Sequence, residues 1–298
     1  MPEGHTIHRL AEDVLERFGG RAVRAASPQG KFAGGAALVD GRVLTDTDAH
    51  GKHLFLGFGG AGWVHVHLGL YGKFTFGAGP PPAPVGQVRL RLAAGEVPSD
   101  SAGEAPAGAS GRDGAGPVGS AVTGAVYADL RGPARCELIT EDEKQAVEGR
   151  LGPDPLRKDA DPGAAWSRVS RSRNTVAALL MDQKVVAGAG NVYRAEVLFR
   201  QGIDPYRPGS GLSRDEWDGL WADLVELMRE GVRNNRIDTV RPQHTPEAMG
   251  RAPRVDDHGG EVYVYRRAGR PCHICGEEVR TAGLAARNLF WCPRCQPA

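Results

Sequence analysis

Four of the five cysteines fall in the last 27 residues, as Cys272-x2-Cys275-x16-Cys292-x2-Cys295. Two CxxC pairs at this separation predict a tetrahedral four-thiolate zinc site in a small β-hairpin, whereas a redox pair needs only one CxxC. Four thiolates leave no open coordination position. The ion expected here, one structural Zn2+ per chain on Cys272, Cys275, Cys292 and Cys295, therefore does no chemistry and replaces the core that so small a unit lacks. Cys136 has no partner and is expected as a small buried apolar side chain. Arg287 lies between the two pairs. A hairpin this small presents something, and an arginine aimed at a phosphate fits that role.

At 298 residues the chain has room for two or three domains and a substantial core. Its composition, 41% hydrophobic and 24% charged, is that of a soluble globular protein. No apolar run is long enough for a membrane span. The start has neither the basic nor the apolar region of a secretory signal, so a cytoplasmic location is expected. A net charge of +1 does not announce a nucleic-acid partner, but the distribution is uneven. Residues 166–200 carry six basic side chains against Asp182 and Glu196, and residues 251–298 carry eight arginines against five acids. The Pro/Gly/Ala-rich stretch 93–124, with four acids and only Arg112 to offset them, masks this excess. Arginine outnumbers lysine 31 to six, which a high-GC genome explains; the clustering points instead to phosphate binding.

The chain starts Met1-Pro2-Glu3-Gly4-His5. A methionine before proline is normally trimmed, which leaves Pro2 as a secondary amine, a nucleophile toward a carbonyl or acetal-like carbon. Many cytosolic chains start this way, so the motif is weak alone. Ile7, Leu10, Ala11, Val14 and Phe18 form one apolar stripe, which predicts a helix over 5–18 ended by Gly19-Gly20. Its dipole disfavours a protonated amine at its start by about 0.3–1 kcal/mol. An α-amino group already titrates near pH ~8, so a useful fraction would be neutral.

Alternating segments at 42–48, 53–58, 63–68, 72–76, 87–92 and 126–130 predict strands, and with the early helix a β-sandwich. His65 and His67 share a strand face and are read as packing or hydrogen-bonding groups rather than ligands. Lys52, at a strand start, is either a solvated charge or a catalytic or phosphate-holding lysine. Leu70 and Tyr71, between glycines, either fold onto the core or wedge into a base stack. Residues 93–124 are expected as a disordered insertion. From about 135 the pattern turns helical, with helices at 175–182 and 192–200. Between them, Gly188-Ala-Gly190-Asn191 is either an ordinary turn or a backbone cradle for phosphate. Ser213-Arg-Asp-Glu216 is a capping box opening a helix that buries Trp217, Leu220, Trp221, Leu224 and Met228. Residues 238–261 are expected as a linker or mobile loop.

Taken together the chain resembles the formamidopyrimidine-DNA glycosylase / endonuclease VIII family of base-excision repair over nearly its full length apart from the insertion. Pro2-Glu3-Gly4 matches the catalytic start, Lys52 the Gly-Lys-x-Leu lysine, Gly188-Ala-Gly190-Asn191-Val-Tyr193-Arg194 the helix–two-turn–helix signature, and Arg287 the zinc-finger arginine. Gly4 and the Leu70-Tyr71 pair look like the endonuclease VIII branch. Gly69 departs from it, where a glutamine commonly sits. The resemblance implies an α+β multidomain fold. An N-terminal β-sandwich with a packed helix would span 1–134 and a helix–two-turn–helix domain 135–250. A linker loop and four-cysteine zinc-finger hairpin would fill 251–298.

It further implies a bifunctional DNA glycosylase and AP lyase acting on oxidised bases, pyrimidines preferred, in double-stranded DNA, with no redox or nucleotide cofactor. Pro2 would form a Schiff base with the sugar, Glu3 would serve as general acid/base, and Lys52 would hold a phosphate near the reacting sugar. Leu70 and Tyr71 would fill the gap left by the flipped base, and Asn191 and Arg287 would clamp flanking phosphates. A monomer associated with the nucleoid is expected. The alternatives are the same chemistry on oxidised purines, or a non-catalytic binder of damaged DNA, which would have no need of Pro2, Glu3 and Lys52 together.

Overall fold

The computed structural model describes residues 2–95, 124–255 and 260–298. The first helix, α1 (Gly4–Phe18), buries the stripe its periodicity predicts: Ile7, Leu10, Ala11, Val14 and Phe18. It seals a sandwich of two four-stranded antiparallel sheets. One runs β2 (Leu44–His50), β3 (His53–Phe58), β4 (Gly62–His67), β8 (Arg135–Ile139). The other runs β1 (Arg24–Ala26), β6 (Val88–Ala94), β7 (Val126–Arg131), β5 (Lys73–Ala78). Leu54, Leu56, Val64 and Val66 from the first sheet meet Leu90, Leu92, Ala128 and Leu130 from the second in one core with the α1 stripe. Burying each such leucine or valine contributes about 1.5–3 kcal/mol, so the alternation in the strands decides which faces meet.

Three expectations are corrected here. The pattern does not turn helical at 135, because Arg135–Ile139 is a strand paired with β4, Val64 opposite Leu138 and Val66 opposite Cys136. The first domain therefore extends past residue 134. The strand is hard to read because Arg135 and Glu137 bond each other at its solvent side, and the helix α3 (Glu141–Glu148) begins at once behind a Thr140–Glu143 capping box. Ala93 and Ala94 belong to β6 and not to the insertion, whose residues 96–123 lie outside the described residues. A short strand β1 and a short helix α2 (Ala33–Val39) also occupy a stretch with no clear periodicity.

The second half is helical: α4 (Pro162–Val169), α5 (Val176–Leu179), α6 (Asn191–Arg200), α7 (Arg214–Asn234) and α8 (Pro246–Met249). The α5 helix is shorter than the 175–182 pattern suggests. The Ser213–Glu216 capping box opens α7, which buries Trp217, Leu220, Trp221, Leu224 and Met228. The chain ends in a hairpin of β9 (Arg280–Leu284) and β10 (Arg287–Trp291). Val279, Leu289, Phe290, Cys272 and Cys292 share one apolar core with α6 and α7, so the cysteine module is fused to the helical domain. Of the 238–261 segment, residues 256–259 lie outside the described residues, and the rest carries α8 and a Thr239–Glu261 backbone bond. Among the described residues, no helix is long and apolar enough to cross a membrane.

Candidate active site

The N-terminal residues enter the helical domain and stop against its Gly-rich turn. The Gly4 N–H donates to the Gly188 carbonyl at 2.9 Å. Glu3 is fully buried, and its carboxylate accepts the Gly190 N–H at 3.1 Å and the Val192 N–H at 2.9 Å. These are first-turn donors of α6, which its own N-cap glycine leaves without a side-chain cap. Glu3 thus caps a helix of the other domain. Burial pushes its pKa up; the Lys52 charge and the backbone N–H groups of Val192 and Tyr193 pull the other way.

Gly51 and Lys52 close the site from the sandwich side. The Gly51 N–H donates to Asp154, which also bonds the His8 ring at 2.7 Å. Lys52 Nζ donates to the Ala189 carbonyl at 2.9 Å, and Gln183 Nε2 donates to the same oxygen. Burial lowers the lysine's pKa, the nearby Glu3 raises it and Arg287 lowers it further. The α1 start, the β2–β3 turn and the 187–191 turn therefore meet at one point, with the side chains of Glu3 and Lys52 both bonded to the backbone of the last.

Two cavities flank Pro2. One, about 270 Å³, is walled by Lys52, His67, Met181, Gln183 and Arg287. The other, about 330 Å³, has a floor of Leu68, Phe74 and Phe76 and a rim of Thr6, Thr75 and Asn235. A larger groove of about 440 Å³, between α1 and the 156–159 turn, reaches none of Pro2, Glu3 or Lys52.

Outside the first cavity lies an open groove of about 380 Å³ bordered by Leu70, Tyr71, Asn191, Arg266 and Arg287. Leu70 and Tyr71 point to solvent, at 49% and 84% exposure, and do not fold onto the core. Arg287 is exposed, with its guanidinium donating to the Ala286 carbonyl. Asn191 is buried. Its Nδ2 donates to the Asn288 carbonyl at 2.9 Å and its Oδ1 accepts from Arg194. That places the Gly-rich turn and the cysteine hairpin in direct contact.

The four cysteine sulfurs lie within 4.8 Å of one another, with Cys272–Cys295 at 3.8 Å and Cys275–Cys292 at 3.4 Å. A tetrahedral zinc with ~2.3 Å bonds has sulfur–sulfur edges of about 3.8 Å, so the donor set fits that ion. Among the described residues it is also the only group of three or more potential ligands close enough to share one. His65 is instead part of a polar chain, His53–His65 at 2.8 Å and His65–Glu137 at 3.1 Å. His67 lines the cavity beside Pro2.

Of the residues named from the sequence, Pro2, Lys52, Leu70, Tyr71, Asn191 and Arg287 line the adjoining cavity and groove, and Glu3 is buried next to Pro2. Sequence reasoning missed Gln183, Asp154 and Arg266, which match no motif and are found only by the folds that bring them there.

Three family models match: the formamidopyrimidine-DNA glycosylase N-terminal domain over residues 1–99, its H2TH domain over 151–241, and the zinc finger found in FPG and IleRS over 269–298. Endonuclease 8 1 of Mycobacterium tuberculosis is 48% identical over 99% of this chain and 100% of its own length. The formamidopyrimidine-DNA glycosylase of Methylococcus capsulatus is 32% identical over 87% of this chain and 83% of its own. A Lactococcus lactis FPG mutant in complex with Fapy-dG containing DNA shares the fold, with a TM-score of 0.70 at 19% identity over the whole of both chains. FPG from Thermus thermophilus does so with 0.67 at 23% identity, covering 99% of this chain and 98% of that one.

The class these features define is the DNA glycosylases of base-excision repair. Within that class, the chain belongs to the formamidopyrimidine-DNA glycosylase / endonuclease VIII family, whose members are DNA glycosylases with AP lyase activity.

Proposed function

We propose that this enzyme removes oxidised bases, pyrimidines in preference to purines, from duplex DNA through a covalent intermediate on Pro2, and then cleaves the strand. The observation that carries the reading is the meeting of Pro2, Glu3 and Lys52 beside two cavities at the domain junction. With Met1 removed, the neutral Pro2 amine attacks C1′ of the lesion nucleotide and the glycosidic bond breaks, the departing base taking a proton. Glu3, with its pKa raised, is suited to protonate the ring oxygen O4′ as the C1′–O4′ bond opens, leaving an iminium between Pro2 and the sugar. The iminium draws electrons from the C2′–H bond. Loss of that proton expels the 3′ phosphate, and a further elimination expels the 5′ phosphate. Hydrolysis of the iminium returns the amine.

Flipping exposes C1′ and costs a few kcal/mol of unstacking, which Leu70 and Tyr71 offset by filling the gap. The cavity with the Phe74–Phe76 floor receives the extruded base, while Lys52, Asn191 and Arg287 hold phosphates around it. One Zn2+ on the four thiolates keeps the hairpin, and with it Arg287, in register. The enzyme works as a monomer on the cytoplasmic nucleoid. Pyrimidine preference is supported by Gly4 and by the 48% identity to an endonuclease 8.

Borohydride reduction during turnover is the test. It should link the trimmed protein to lesion-containing duplex, and Pro2→Gly or a retained Met1 should lose most of the adduct. No adduct from active, trimmed protein would sink the mechanism. Excision compared side by side on thymine glycol, dihydrouracil and 8-oxoguanine duplexes tests the lesion preference, which faster 8-oxoguanine release would reverse.

A further inference from the structure

We propose that Arg266 is a second arginine grip on the DNA backbone, bordering the same groove as Arg287 and binding a separate phosphate. The proposal rests on the DNA-binding reading above. Both arginines are exposed and border the same 380 Å³ groove, Arg287 from the hairpin and Arg266 from the segment leading into it.

The loop that carries Arg266 is held with unusual thoroughness. Glu196, fully buried on α6, accepts the N–H groups of three successive residues: Tyr263 at 2.7 Å, Val264 at 2.9 Å and Tyr265 at 2.8 Å. Its remaining reach takes the Thr239 hydroxyl at 2.6 Å. Arg267, also buried, donates to the Tyr263 and Pro271 carbonyls and closes the turn from the other side. Tyr265 is fixed edge-on against Phe290 of the hairpin, ring centres 5.5 Å apart.

Between these anchors Arg266 takes φ 54°, a backbone conformation that side-chain-bearing residues seldom adopt. Glycine would relieve it, yet the position carries a long cation. Its guanidinium lies over the Tyr265 ring at 5.5 Å, on the border of the groove. A strained, over-determined turn that presents a stacked arginine on the rim of a groove is suited to a planar fork on a phosphate. Two arginines bordering one groove match two points on a polyanion, and the wedge residues Leu70 and Tyr71 border the same groove.

The test uses the full-length zinc-loaded protein and lesion-containing duplex. Arg266→Gly should raise the melting temperature, because the strain is relieved, while it weakens DNA binding by about 5–20-fold and lowers the slope of log K against log salt by about 0.9. Arg266→Lys should keep most of the slope, and guards against a folding defect in the glycine variant. Combined with Arg287→Ala, the slope should fall by about twice as much, as two separate phosphates require. An unchanged affinity and slope in Arg266→Gly, with wild-type protein binding and forming the borohydride adduct normally, would overturn the second grip. Failure of the wild-type protein to bind damaged duplex would instead overturn the reading on which it rests.

Discussion

A β-carbon added to Gly190 would lie 2.5 Å from the carboxyl carbon of Glu3. The φ of Gly190 is −131°, open to any residue, so glycine is needed here for space alone. Gly190→Ala should push Glu3 off the first turn of α6, costing roughly 1–3 kcal/mol of stability by overpacking. It should also slow base excision about 100-fold or more, since an acid displaced by an ångström loses its alignment. Thermal melting and single-turnover excision check the two effects; wild-type excision in a variant carrying the extra methyl would show that Glu3 is not held by this contact.

Glu3→Gln should separate the two activities. Opening the sugar requires a proton on O4′, whereas a pre-formed abasic site is already in equilibrium with its open aldehyde. Loss of the acid should therefore reduce base release about 10²–10⁴-fold, with a smaller loss on abasic substrate. Equal losses on both substrates would assign Glu3 a purely structural task.

Lys52 carries a stability cost whose sign follows from its lowered pKa. The folded protein holds this proton less tightly than the unfolded chain, so the charged lysine destabilises the fold once pH falls below its ordinary value. Lys52→Met should melt about 1–3 °C higher at neutral pH, and the gain should shrink as pH rises toward 10. The Ala189 carbonyl it abandons stays bonded to Gln183. DNA cleavage should fall sharply in the same variant. Melting curves against pH read the first effect, and a wild-type advantage at pH 7 would contradict it.

Removing zinc should act at a distance. Asn191 and Arg194 of α6 both donate to the Asn288 carbonyl of the hairpin, at 2.9 and 3.3 Å. Cys272→Ser, or chelation, should therefore weaken DNA binding at least 10-fold and also disturb the turn beneath Glu3, so excision at saturating DNA falls as well. Affinity that survives Cys272→Ser would detach the hairpin from the DNA surface.

Tyr71→Ala should slow excision on paired lesions more than on lesions in single strands, because the gap it fills exists only in a duplex. Arg287→Ala should weaken binding across sequences and reduce the salt slope by about 0.9. A Tyr71 variant equally slow on both substrates would remove it from the wedge.

Much of this was readable along the chain because its physics is local. The α1 stripe, the Ser213–Glu216 cap and the cysteine spacing each declare themselves within one short stretch of chain. The strand Arg135–Ile139 did not, since it is five residues long, half exposed, and defined by pairing with Val64 and Val66 far upstream. Glu3 could be named as an acid, but its service as a cap for α6 depends on a contact 187 positions away. Arg266 belongs to no motif at all. Its meaning comes from Glu196 and Phe290, which approach it only in the folded chain.

The pairing of Ala94 with Val126 has a practical side. The chain leaves β6 and re-enters β7 at adjacent positions, so whatever length lies between them adds only a slowly growing closure entropy. The junction lies beside Ala78, at the opposite end of β5 from Lys73, where the strand approaches Pro2. Phe76, the last residue of β5 to border the Pro2 cavity, lies two residues from Ala78, or about 7 Å along the strand. A short fluorophore-bearing peptide grafted there would change the length of this connection and not the strand pairing on either side of it, and would make single-molecule tracking of lesion search feasible.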